Sequence, residues 1–201
     1  MSAGLSGEFQ TAAGLAKGYD GRVFVADTRR VSVTQRQAAL DAARLARLGT
    51  PAREIHAFLE RDGRNSDIFV AVNTLELLKK SGRVTPAGAA LGSILSIKPV
   101  LRIQDGKLDA YRKVRGMRTA MQTMLEGLRE DCAALGGKMT IRAAYSGDRA
   151  SGLCWQETLQ ATFPECPIGL DPLPLSVCCH VGYGALGVGI VKKNFPEEAE
   201  A

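Results

Sequence analysis

The sequence predicts an α/β protein of two lobes. Residues 1–65 form a partial N-terminal α/β lobe, residues 66–195 form a second lobe with a mixed sheet flanked by helices, and residues 196–201 are an acidic tail. Three observations carry this expectation. Strand-length apolar runs alternate with helical periodicity along most of the chain. A hairpin signal, Asp105-Gly106, falls among these crossover units in the second half, so that half needs antiparallel as well as parallel neighbours. The polar, turn-rich stretch "RDGRNSD" around residues 63–67 separates two strand-helix units, as a domain boundary does.

The elements follow in order. "SAGLSGEFQTAAG" reads as a loop opening a helix, with Ser6 as N-cap. "RVFVADT", residues 22–28, has the continuous apolar look of a buried parallel strand. No segment before it offers a parallel neighbour, so its sheet is expected to be completed by other strands or by a partner chain. Ser32 and Gln35 have the spacing of a capping box. The helix they open runs to about Leu48, with Ala39, Ala42, Ala43 and Ala46 as its stripe and Gly49 as its stop. Thr50-Pro51 starts the next helix, striped by Ala52, Ile55, Phe58 and Leu59, with His56 partly exposed beside the stripe.

"IFVAV" at 68–72 is expected as a strand and "TLELLKKSG" at 74–82 as a short capped helix. Thr85-Pro86 opens another helix through about Leu95. "VLRIQDGKLDAYRKVRG" reads as a β-hairpin. Met117, Ala120, Met121, Met124, Leu125, Leu128 and Cys132 recur at three- and four-residue steps, the spacing of a core-facing helix. "KMTIRAAY" is a strand, residues 151–162 a helix, and "PIGL" and "SVCCHVG" short strands.

Composition excludes several classes. The 201 residues are 45% hydrophobic, enough for a proper core. The net charge of +5 comes from dispersed Lys and Arg, which argues against a nucleic-acid partner. The five cysteines include no C-x-x-C pair and fit reduced thiols in a cytoplasmic protein. Cys178, Cys179 and His180 are adjacent in sequence and do not converge easily on a tetrahedral ion, so no metal is expected. The first residues lack the cationic and apolar regions of a signal peptide, and no uncharged apolar run reaches membrane-spanning length.

"CHVGYGALGVGIVKK", residues 179–193, contains Gly182-Tyr183-Gly184-Ala185-Leu186-Gly187, a literal G-x-G-x-x-G. A dinucleotide fold needs a helix, a second strand and an acidic residue about 20 positions on. Only 14 residues follow Gly187, so no nucleotide cofactor is expected. Gly182 and Gly184 are instead expected where backbone approaches another segment or a ligand.

Six stretches, "SAGLSGEFQTA", "VFVADTRRVSV", "LELLKKSGRVT", "GSILSIKPVL", "DGKLDAYRKVRG" and "HVGYGALGVGI", resemble in this order the landmarks of the DegV family. That family includes the FakB-type fatty-acid-binding subunits of bacterial fatty acid kinase. The resemblance spans residues 2–190 and implies a DegV-like fold with one long-chain fatty acid buried between two domains. It further implies that the fatty acid carboxylate is presented to a partner kinase, which makes the acyl phosphate, so the chain itself is not expected to be an enzyme. Family members carry an extra N-terminal segment with a Thr-Ser motif near the lipid head group, which has no counterpart here. By resemblance, Ser6 corresponds to the head-group serine, and His180 and Arg115 to residues near the head group or the kinase-docking surface. Glu8 stands where the family usually has Thr, and Tyr183 where it usually has Pro.

The physics is coherent with these expectations. A carboxylate buried beside lipid needs hydrogen-bond donors or it takes up a proton. A helix N-terminus near Ser6 supplies free N–H groups, and His180 is a switchable donor. Each residue also has a plainer reading: helix capping for Ser6, a surface salt bridge for Arg115, a core histidine for His180. Two other functions stay open, an interaction module without lipid and a hydrolase using Ser6 and His180, although no G-x-S-x-G elbow is present. Transient contact with a membrane surface also stays open.

Overall fold

The computed structural model describes residues 2–86, 97–104 and 106–195. Its centre is one mixed sheet of six strands: β1 (Ser66–Ala71), β2 (Ile97–Gln104), β3 (Lys107–Arg115), β4 (Met139–Tyr145), β5 (Ile168–Pro172) and β6 (Leu186–Lys192). Their order is β3-β2-β1-β6-β4-β5. Every pairing is antiparallel except β4 with β5. The mixed sheet and its flanking helices agree with the expected fold class.

Helices cover both faces. The long helix α5 (Gly116–Leu135) and α6 (Arg149–Thr162) pack on one face. There Phe69, Val100, Met124, Leu128, Trp155 and Ile190 form the main core. The methionine stripe lies in that core, with Met124 wholly buried and Met117 and Met121 packed against it. On the opposite face lie α2 (Ser32–Arg47), α4 (Glu76–Ser81) and α7 (Leu175–Val181). A smaller cluster of Val70, Val72, Leu78, Leu101 and Val181 fills the space there. Successive β1 residues feed the two cores alternately, as a pleated strand requires. Helices α1 (Glu8–Ala16) and α3 (Ala52–Asp62) complete the described helices other than a 3-10 turn at Lys17–Tyr19.

Five expectations need correction. Gly7, not Ser6, is the N-cap of α1. Residues 22–28 form no strand: the segment joins no ladder, and Val23 and Phe24 are exposed. A strand is defined by hydrogen bonds to a neighbour, and here Asp27 instead receives the N–H groups of Ala3 and Arg29. The Ser32/Gln35 capping box is not made. Ser32 has a left-handed backbone (φ 53°), and Gln35 Oε1 accepts from Thr28 Oγ1 at 2.6 Å. The alanine stripe of α2 is turned mostly outward; its buried face is Val33, Thr34, Ala38 and Asp41. Alanine is too small to define a face by itself. Finally, "SVCCHVG" is helix α7, not a strand. Pro174 sets its start, Val177 and Val181 turn inward at an i, i+4 step, and Gly182 (φ 78°) ends it. The helix expected from Thr85-Pro86 lies outside the described residues beyond its first position, as does the acidic tail.

Strand β6 explains the remaining glycines. Leu186, Val188 and Ile190 face the main core. Gly187 and Gly189 alternate with them on the other face. A Cβ on Gly189 would sit 2.5 Å from Val33 Cγ2, so glycine is what lets the start of α2 lie against the sheet.

Candidate functional site

On the face of the sheet carrying α2, α4 and α7 there is a cavity of about 240 Å³, too large for an ion or a lone water. Its floor is Ile68 and Val70 of β1 with Gly187 of β6. Leu78, Ile103, Leu108 and Val177 continue the apolar wall, and Val31 and Val33 close it from the start of α2. The polar groups in its lining come from Ser6, Glu8, Ser32, Arg83, Ser176 and His180.

Each polar side chain is placed by local structure. Ser6 precedes the N-cap Gly7 of α1, and its Oγ accepts from Glu8 N at 3.2 Å. That leaves its own O–H free to donate. Glu8 is the first residue of α1, favourable for the helix dipole but adverse to an anion nearby. His180 sits in the last turn of α7. Its Nδ1 is buried and has no hydrogen-bond partner among the described residues. Arg83 follows the left-handed Gly82 that ends α4, and one guanidinium nitrogen donates to Ser81 O at 2.6 Å. The other N–H groups of the fork are not spent on that bond.

Burial and, second, the positive charge of Arg83 hold His180 below the usual imidazole range. The imidazole is therefore neutral at pH 7, and an anion placed beside it would draw a proton onto it. An apolar cavity lined also by the basic side chains Arg83 and His180 and by the hydroxyls of Ser6, Ser32 and Ser176 suits an amphipathic ligand with an anionic head. Among the described residues, no group of three or more His, Cys, Asp or Glu is placed to hold a metal ion.

The structure thus brings Ser6 and His180 to one cavity although they lie at opposite ends of the chain. Arg115 ends the edge strand β3, is exposed, and is not among the cavity walls. Gly182 and Gly184 are also outside the lining. Both have left-handed φ (78°), and they approach Leu77 and Asn73 respectively rather than the cavity. Arg83 and Ser176 are not singled out by the sequence, and Ser32 is read there only as a helix cap. Arg83 had one usable signal, a cation just past the Gly82 helix stop in "KKSGR". Ser32 had none, because its left-handed backbone is a tertiary effect.

Comparison with known proteins bears on the fold and the site together. The family model described as uncharacterised protein, DegV family, matches residues 1–193. A DegV domain-containing protein of Deinococcus radiodurans is 32% identical, over 94% of this chain and 67% of its own length. A fatty acid-binding protein of Thermotoga maritima is 30% identical, over 94% of this chain and 66% of its own. In structure, a fatty-acid-binding DegV family protein of Thermus thermophilus matches with a TM-score of 0.86 and 30% identity, covering 96% of this chain and 69% of that one. The chain spans about two thirds of the length of these relatives. Among the described residues no helix is long and apolar enough to cross a membrane. With a family model matching residues 1–193 and a relative of 32% identity over 94% of this chain, the chain belongs to the DegV family.

Proposed function

We propose that this protein binds a long-chain fatty acid in the cavity and presents its carboxylate to a partner fatty acid kinase for acyl-phosphate formation. The observation that carries the reading is the meeting of Ser6, Arg83 and His180 on one largely apolar cavity. Fatty acid binding by the Thermotoga and Thermus relatives supports it. The acyl chain supplies most of the affinity, at about 0.8 kcal/mol per buried methylene. The carboxylate is held by the Ser6 hydroxyl, the Arg83 guanidinium and the His180 imidazole, with Glu8 opposing them. The protein works in the cytoplasm as a lipid-binding subunit, and catalysis belongs to the kinase. Arg115 serves kinase coupling.

Ser6 Oγ accepts from Glu8 N, and His180 Nδ1 has no hydrogen-bond partner among the described residues. The Ser/His hydrolase reading therefore has no geometric support. Denaturing mass spectrometry of the purified protein's lipid extract tests the main reading. A long-chain fatty acid at near-equal molar amount is expected, and delipidated protein should gain thermal stability when it is added back. An empty extract and no thermal gain would favour an interaction module without lipid. Arg115→Ala should leave the melting temperature and fatty acid binding unchanged while lowering acyl-phosphate formation with a cognate kinase. A large loss of stability in that variant would make Arg115 structural.

A further inference from the structure

The sheet face opposite the cavity carries a buried charge cluster that lipid binding does not use. Asp67 of β1 and Asp131 of α5 are 9% and 7% exposed. One guanidinium, that of Arg102 on β2, serves both. Its Nε and Nη2 pair with Asp67 Oδ2, and its Nη2 donates to Asp131 Oδ1 at 2.8 Å. Asp67 Oδ1 takes the N–H of Ile68 at 2.7 Å. Asp131 Oδ2 is buried and has no hydrogen-bonding donor among the described residues. Arg102 Nη2 contacts Asp67 Oδ2 and Asp131 Oδ1 alike, which brings an oxygen of each carboxyl group to the same nitrogen. If both ionise, two buried negative charges share one positive charge, and an acceptor oxygen is left without a donor.

Charges on the neighbouring elements do not correct this. Tyr111 of β3 is neutral at physiological pH, its phenol pushed up further by burial and by Glu130. Glu130 of α5 adds negative charge beside Asp131. From β6, Lys192 spends its ammonium on Leu135 O at 3.3 Å, and Ile190, which faces Asp67, is apolar. Arg102 is the one cation paired with either carboxylate among the described residues.

We propose that Asp67 and Asp131 share one proton at and below neutral pH, forming a carboxyl–carboxylate clasp between β1 and α5 that opens when that proton is lost at alkaline pH. The direction of the titration agrees. Burial, and then the charge of Asp131, raise Asp67 to about 7 against the clear opposition of Arg102. Asp131 is raised too, chiefly by burial. Such midpoints belong to the pair rather than to one residue. For an acid raised on folding, the folded state holds the proton through the window between its ordinary value of 3.8 and about 7. Stability is therefore highest below that window and is lost as pH rises through it. Ile68, the next residue on β1, lines the cavity on the other face, so the clasp also anchors the strand that forms the cavity floor. The inference does not depend on the identity of the ligand.

The test is urea unfolding of the full chain at pH 5.5 and pH 8.5, for wild type and Asp131→Asn. The wild-type folding constant should fall by at least about tenfold between these conditions relative to the variant, as loss of one proton requires. Contributions from other groups, including His180 and Asp41, cancel in that comparison. Carbon-detected titration of the aspartate carboxyl groups in wild-type protein gives a second readout, independent of whether the variant folds. A midpoint near neutrality for the pair supports the clasp. Ordinary acid-range midpoints for both carboxyls, or the same pH dependence in wild type and variant, would overturn it.

Discussion

His180 is neutral at pH 7 because burial and Arg83 both oppose its charge. Two opposite pH effects follow. In the ligand-free protein the folded imidazole binds its proton less readily than the unfolded one. Stability is therefore present above the unfolded value of 6.5 and is lost as pH falls through the lowered folded value. A bound carboxylate reverses the local field and favours the protonated ring. Fatty acid affinity should therefore rise as pH falls from 8 to 5.5. One hydrogen bond to a charged group is worth about 1.5–3 kcal/mol, so the change should be roughly tenfold or more. Titration of wild type and His180→Asn at both pH values checks this. The variant is expected to bind weakly at both, with the pH dependence gone. Equal behaviour of the two proteins would remove His180 from the head-group site. Residue chemistry of this kind was legible in the sequence for Ser6 and His180, because resemblance pointed to them. Arg83 was missed because no local pattern says where a cation after a helix stop will point.

At the scale of elements, β6 is the clearest case of sequence written for two surfaces. "LGVGIVK" alternates bulky apolar residues toward α5 and α6 with glycines toward the cavity and α2. Gly189→Val should cost about 1–3 kcal/mol, because the new methyl groups meet Val33 and Thr34. Urea unfolding measures it, and a cost within 0.5 kcal/mol, the usual size of a surface change, would mean that α2 shifts freely on the sheet. The long helix α5 was readable because large side chains at three- and four-residue steps leave little choice of face. Helix α2 and α7 were misread for complementary reasons. Alanine carries too little apolar area to choose a face, and valines at short range look like a strand until an i, i+4 partner surface exists.

Across the whole molecule, residues before Ser66 contribute no strand to the sheet among those described, and they are held to it by a buried polar staple. Arg30 Nη2 donates to Asp62 Oδ2 at 2.8 Å and to Asp62 O at 2.7 Å, and its Nε donates to Ser66 Oγ at 3.0 Å. Asn194, just beyond β6, donates to the same Asp62 carboxylate at 3.0 Å. The two-lobe reading with a boundary at residue 65 is proposed on this basis, with the staple as the joint. Arg30→Ala should cost about 3–5 kcal/mol, since it strands a buried carboxylate. Hydrogen exchange should then show residues 8–62 opening before the sheet. Uniform opening of both parts would instead make the chain one cooperative unit.

The sequence by itself determined the α/β class, the hairpin, the core helix α5 and the family resemblance. All of these rest on short-range periodicity, turn chemistry and ordered motifs, which the chain expresses locally. Only the tertiary structure decided that residues 22–28 join no ladder, that "SVCCHVG" is helical, and that Ser6, Arg83 and His180 line one cavity. Those outcomes depend on which surfaces face one another. A strand exists only with a neighbour to bond, a short apolar run takes whichever form buries it, and a site assembled from distant segments is created by the packing that brings them together.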